Sequence, residues 1–226
     1  VKLIRLFFAK HFNEVLCYFV PRPVYSIDLS ILPSFPGRFS FFTERYFSSC
    51  RKKSSNMTEP VRIIFICYEN ICRSPMAEGI FSALLHGRGL HRFFSVSSAG
   101  TVSGQSGSPP DHRATAALHT LGIDISSCRS CGIDELDLYG YDWIFVMDDE
   151  NYEDILRYFS DSPRPRVHRM MEFVDGRAHE EIPDPYYGSA KDFERVTGDL
   201  VTASGMILRE LGRHYPFLSE QWAGES

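Results

Sequence analysis

Val61-Arg62-Ile63-Ile64-Phe65-Ile66-Cys67-Tyr68-Glu69-Asn70-Ile71-Cys72-Arg73-Ser74-Pro75 is the stretch on which the fold turns. Its first six residues form a run of β-branched and aromatic side chains broken only by Arg62, as expected of a strand buried on both faces of a parallel sheet. A loop over residues 67–73 follows, and then Ser74 is placed to cap a helix that Pro75 opens. Met76, Ile80 and Leu84 recur at helical spacing, flanked by Ala77, Phe81 and Leu85, and Gly87 is placed to end that helix. The unit reads strand, tight loop, helix.

The pattern repeats downstream. Residues 93–97 read as a second strand, 114–121 as a helix stopped by Gly122, and 143–147 as a third strand. Residues 150–159 read as a helix, 167–173 as a weaker strand, and 192–211 as a last helix in which Gly198 and Gly205 each cost about 1 kcal/mol relative to Ala. Alternating strands and helices predict a three-layer α/β/α domain around a short parallel sheet of about four strands, with an anion-binding loop after the first strand. There is no internal repeat.

Charge divides the chain. The 226 residues carry a formal net charge of −5, with 43% hydrophobic and 23% charged residues, which excludes disorder throughout, collagen and a disulfide-stapled mini-protein. Residues 1–56 hold nine Lys+Arg against three Asp+Glu, a net of +6, and nine of the eighteen Phe; residues 57–226 therefore carry −11. The expected organisation is a basic, Phe- and Ser-rich extension over 1–56, either a leader or non-native translation with Met57 as the natural start, ahead of a domain over 57–226. The most apolar part of the extension is interrupted by Arg5, Lys10, His11, Asn13 and Glu14, so no membrane span is expected. Prolines 21, 23, 33 and 36 leave little room for an amphipathic transit helix beyond the first twenty residues. The acidity of the domain disfavours nucleic acid as a partner. Cys67, Cys72, Cys128 and Cys131 read as reduced thiols of a cytoplasmic protein, with organelle import open if the extension is a genuine leader.

In an open parallel sheet, ligands sit at the carboxyl ends of the strands, and here that place is taken by Cys-x5-Arg-Ser. A loop that ends on a helix N-terminus can turn several backbone N–H groups inward, making a concave anion site reinforced by the helix dipole. The same field favours a thiolate, which makes Cys67 a nucleophile candidate. Arg73 supplies a planar, always charged fork for two oxygens of a phosphoryl group. A lone Cys is commonly just a small buried hydrophobe; Cys, Arg and Ser at this spacing point to phosphoryl transfer through a cysteinyl-phosphate. That chemistry needs no metal or other cofactor. It does need a proton donor, and Asp184, stiffened between Pro183 and Pro185, is the candidate general acid and base. Tyr186 and Tyr187 are candidate walls for a flat phenyl ring.

These segments together resemble the low-molecular-weight protein tyrosine phosphatases, from about Val61 to Leu211. The resemblance rests on Asn70-Ile71-Cys72-Arg73-Ser74-Pro75 with Ala77-Glu78, Ser98-Ala99-Gly100-Thr101, Pro110-Asp111-x-Arg113, Met147-Asp148 and Asp184-Pro185-Tyr186-Tyr187-Gly188, in the family's order. It implies Cys67 as nucleophile, Arg73 as phosphate binder, Ser74 as donor to the thiolate and Asp184 as general acid. Tyr68, Glu69, Asn70, Ile71 and Cys72 complete the implied phosphate loop, Asn70 and Ser98 brace it, and Cys72 traps oxidised Cys67 as a reversible disulfide. The implied substrate is a phosphotyrosine protein.

Two positions depart from that pattern. Glu69 stands where the family usually has Gly; an inward carboxylate would repel a dianion, whereas an outward one only lines the rim, and the outward case is expected. Cys128 and Cys131 stand where a His and an Arg are common, and ordinary packing is expected for them rather than half a zinc site. The rivals are a thioredoxin-coupled arsenate reductase, a phosphotyrosine-binding module weakened by Glu69, and a phosphoarginine phosphatase. The first needs a relay thiol near the end of the third strand, where this chain has Met147; the last tends to carry Thr in place of Ile71.

Overall fold

The computed structural model describes residues 59–159, 165–216 and 218; residues 1–56 lie outside them, and so does every expectation for the N-terminal extension. Four strands form one sheet: β1 (Val61–Cys67), β2 (Phe94–Gly100), β3 (Trp143–Val146) and β4 (Arg166–Arg169). Their order is β2-β1-β3-β4 and every pair is parallel. The helices are α1 (Arg73–Gly87), α2 (His112–His119), α3 (Asp149–Tyr158) and α4 (Ala190–His214).

The side-chain alternation of β1 explains the layering. Ile63 and Phe65 join the core that α1, α2 and α4 cover, whereas Ile64 and Ile66 pack with Ile144, Val146, Ile155 and Phe159 on the α3 side. Both faces of β1 are buried from Ile63 onward, as the apolar run after Arg62 predicts. Phe65 meets Phe81 of α1 edge-on at 5.5 Å and stacks on Phe145 of β3 at 5.7 Å. Each such fully buried ring contributes about 1.5–3 kcal/mol through apolar burial alone. Among the described residues no helix is long and apolar enough to cross a membrane.

Strands β1 and β3 are neighbours in space but not in sequence, so the chain order reverses between them and a crevice opens above their carboxyl ends. Cys67 stands at that end of β1, opposite Gly100 of β2. Gly100 is required there: a Cβ would lie 2.7 Å from the Tyr68 carbonyl oxygen and 2.8 Å from that of Val102. Gly100→Ala is expected to push the loop off the strand end at a cost of about 1–3 kcal/mol, the usual penalty for overpacking, and to weaken phosphate binding. Chemical denaturation together with phosphate inhibition checks this.

Several element ends differ from the sequence expectation for physical reasons. Helix α1 starts at Arg73, with Cys72 at the cap position and no side-chain cap bond, because the Ser74 hydroxyl is engaged elsewhere. Helix α4 begins earlier than residue 192, where Asp192 Oδ2 accepts both the backbone N–H and the hydroxyl of Ser189. Strand β4 stops at Arg169, and Met170 and Met171 drop into the core from a turn, so their hydrophobicity belonged to packing rather than to pairing.

Candidate active site

Cys67 is buried, and its Sγ lies 3.0 Å from the Ser74 Oγ across the loop. The Ser74 hydroxyl also faces the Ala99 carbonyl at 3.2 Å. It has one proton for two acceptors, so a Cys67 thiolate claims it, whereas a Cys67 thiol donates its own proton to Ser74 and leaves the hydroxyl to Ala99. Asn70 holds the arrangement from below. Its amide nitrogen donates to Ser74 Oγ and to Ser98 Oγ, both at 2.8 Å, and its Oδ1 accepts the backbone N–H of Cys131 at 3.0 Å. The Ser98 hydroxyl in turn donates a hydrogen bond to Glu78 Oε2 at 2.6 Å. Burial pushes the Glu78 carboxyl above its ordinary value, partly offset by this hydrogen bond.

Among the described residues Asn70 is the only non-glycine with positive φ, at 58°. Asn tolerates that left-handed conformation better than most residues, and its side chain is bonded on three sides, which secures the turn. Glu69, the departure from the family's Gly, therefore occupies an ordinary backbone conformation. Its carboxylate runs toward Gly104, with Oε1 3.3 Å from where a Cβ on that glycine would lie, and its carbonyl accepts the Ser130 hydroxyl at 2.8 Å. At Cys131 the backbone itself ties to the loop, its N–H donating to Asn70 and its carbonyl accepting the Gly100 N–H at 2.8 Å. Among the described residues no group of three or more His, Cys, Asp or Glu is placed to hold a metal ion.

Arg73 is only 3% exposed, yet it carries three acceptors. One terminal nitrogen, Nη1, donates to Asp148 Oδ2 at 2.6 Å and to the Ile182 carbonyl at 2.9 Å; the other, Nη2, donates to Asp184 Oδ2 at 3.0 Å. Burial opposes the guanidinium charge, but Cys67, Asp184 and Asp148 outweigh it and leave the group more firmly protonated than usual. Asp148, named in the sequence only as part of the Met147-Asp148 motif, thus stands in the site beside Arg73. It also caps α3, accepting Asn151 N–H on Oδ1 at 2.8 Å, while Oδ2 fixes Arg73. The available signal was its place just past the end of β3, at the carboxyl edge of the sheet.

Asp184 is 47% exposed and also accepts the Tyr186 N–H on Oδ1 at 3.0 Å, which folds its loop over itself. Tyr186 and Tyr187 meet edge to face at 4.9 Å, and Tyr187 is 98% exposed. Tyr68 is exposed on the phosphate loop itself, while Ile71 is partly buried against the core. Cys72 is buried, and burial together with negative Asp111, Cys67 and Asp184 pushes its thiol well up, so it stays protonated while Cys67 is a thiolate.

A strand-end thiol, a buried guanidinium pinned by a carboxylate, and a second carboxylate within reach make a phosphoryl-transfer site, and comparison with known proteins gives it a family. The family model for low molecular weight phosphotyrosine protein phosphatase matches residues 62–216. The chain belongs to that family. It is 34% identical to a putative low molecular weight protein-tyrosine-phosphatase of Synechocystis, over 68% of this chain and 98% of that one. A crystal structure of a protein tyrosine phosphatase from Entamoeba histolytica superposes with a TM-score of 0.64 at 30% identity, covering 68% of this chain and 98% of that chain. A Drosophila arginine phosphatase superposes with a TM-score of 0.61 at 27% identity, covering 66% and 96%. The low-molecular-weight phosphatases are hydrolases, and the position of Cys67 fits their nucleophile.

Proposed function

We propose that this member of the family hydrolyses phosphotyrosine in proteins through a cysteinyl-phosphate on Cys67. The observation that carries the reading is the convergence of Cys67, Arg73 and Asp184 at one strand end, with Arg73 Nη2 3.0 Å from Asp184 Oδ2. The entering phosphoryl dianion takes over Nη2, while Nη1 stays pinned by Asp148 and the Ile182 carbonyl. The Cys67 thiolate attacks phosphorus, the bond from phosphorus to the phenol oxygen breaks, and that oxygen takes the proton of Asp184. The Asp184 carboxylate then takes a proton from water as the water oxygen attacks phosphorus; the S–P bond breaks, phosphate leaves and the thiolate returns. Loop N–H groups and Arg73 stabilise the equatorial oxygens in both steps.

Tyr68, Tyr186 and Tyr187 are all exposed at the mouth, and an aromatic ester gains from them what an alkyl phosphate does not. Residues 57–226 are the catalytic unit in this reading. Free thiols at Cys67, Cys72, Cys128 and Cys131 suit a reducing compartment such as the cytoplasm, with Cys72 available to trap oxidised Cys67 as a disulfide. The test is a substrate panel of phosphotyrosine, phosphoserine and phosphoarginine peptides at equal concentration. Phosphotyrosine is expected to have the highest kcat/KM; preference for phosphoarginine, or arsenate-dependent oxidation of thioredoxin without phosphatase turnover, would contradict the reading.

A further inference from the structure

Arg113 lies outside the phosphate loop and outside the acid loop, yet it is bonded to the acid loop and braced, through Asp111, on the phosphate loop. Its Nε donates to Asp111 Oδ1 at 2.9 Å and its Nη2 to Asp111 Oδ2 at 2.6 Å, a bidentate pair. The rest of the fork reaches the acid loop: Nη1 donates to the Gly188 carbonyl at 3.0 Å and Nη2 to the Tyr186 carbonyl at 2.9 Å. Its guanidinium carbon lies 4.7 Å from the centroid of Phe193, which buries one face of the fork against α4. Asp111 is anchored on its own side, because its backbone N–H donates to the Ile71 carbonyl of the phosphate loop at 2.8 Å and its Oδ1 accepts Arg113 N–H at the start of α2. Arg113 holds the Asp111 carboxyl below the ordinary carboxylate range, so the pair stays charged at neutral pH.

A continuous strut thus runs from the Ile71 carbonyl through Asp111 and Arg113 to the carbonyls on either side of Tyr187. Within the 184–188 turn, the hydrogen bonds of Tyr186 N–H on Asp184 and of Gly188 N–H on Pro185 are internal, and Asp184 on Arg73 is the contact that catalysis must break. We propose that Arg113, locked by Asp111, is a positioning residue that holds the Asp184 loop at working distance from the phosphate loop once Arg73 has been surrendered to substrate. This rests on the reading of Asp184 as general acid. A fork is needed rather than a charge, since two carbonyls and a carboxylate are engaged at once and an ammonium on a flexible stem cannot span them.

The experiment measures kcat/KM over a series of aryl phosphates of rising phenol pKa, with phosphate inhibition, for the wild type, Arg113→Lys, Arg113→Ala and Asp111→Asn; the last keeps a capping side chain on α2. The expected result is a loss that grows along the series and reaches about ten- to a hundredfold for the poorest leaving groups, the scale of a small misplacement of a catalytic group. Phosphate inhibition stays at the wild-type value, which also reports an intact phosphate loop, and Arg113→Lys rescues little of the loss. A loss of equal size for every phenol, an unchanged profile, or full rescue by Lys overturns the inference. Absence of any wild-type turnover overturns the functional reading instead, so the two failures are distinguishable.

Discussion

Cys67→Ser is expected to eliminate turnover of aryl phosphates while leaving the fold and phosphate binding in place. The change replaces sulfur by oxygen at a buried site where Ser74 Oγ already supplies a hydrogen-bond partner, so packing loses little. The chemistry loses its nucleophile. A hydroxyl is far harder to ionise than a thiol, and the loop field that favours a thiolate does not close that gap. The anion cradle of loop N–H groups and Arg73 remains, so inorganic phosphate should still raise the melting temperature of the variant as it does for the wild type. Turnover that survives the substitution would remove Cys67 from the mechanism, and loss of the phosphate-dependent shift would show that the loop had been disturbed.

Asp184→Asn carries the second large effect. The amide keeps the size of the side chain and can accept the Tyr186 N–H that Asp184 Oδ1 accepts now, so the turn should persist. It has no proton to give a leaving phenolate and cannot deprotonate water afterwards. Removal of a positioned acid typically costs about 10²- to 10⁴-fold, and the loss in kcat/KM should be largest for phenols of high pKa, which cannot leave unprotonated. Loss of the carboxylate also frees Arg73 Nη2 from its resting partner, so phosphate should bind the variant at least as tightly as the wild type. An equal loss for good and poor leaving groups would exclude Asp184 as the general acid.

The core architecture was legible because it is written locally. The apolar run of β1 and the helical spacing of Met76, Ile80 and Leu84 are short-range patterns, and both sit where those patterns place them. The loop chemistry was legible for the same reason, since seven contiguous residues and a helix start carry it. What stayed hidden depends on closure of the chain. Asp148 reaches Arg73 from 75 positions away, and its place past the end of β3 puts it at the carboxyl edge of the sheet without saying that it pins an arginine as well as capping a helix. Arg113 is visible in the sequence only as part of the Pro110-Asp111-x-Arg113 motif, and its contacts form when α4 and the acid loop arrive around it. Ser74 misled in the opposite direction: local rules make it a good cap, but its hydroxyl is bound to Cys67 and Asn70. Strand β2 runs on through Ser98, Ala99 and Gly100, residues of modest strand preference, because pairing with Phe65, Ile66 and Cys67 overrides propensity.

The central claim is that phosphorus passes through the sulfur of Cys67. The most direct measurement is a rapid acid quench of the protein during turnover of a phenyl phosphate, followed by digestion and mass spectrometry of the peptide containing Cys67 and Cys72. The account predicts one phosphoryl group on Cys67, accumulating when phenol release outpaces hydrolysis and absent in Cys67→Ser. Steady turnover with phosphate on another residue, or with no phosphoprotein at any quench time under those conditions, would contradict it.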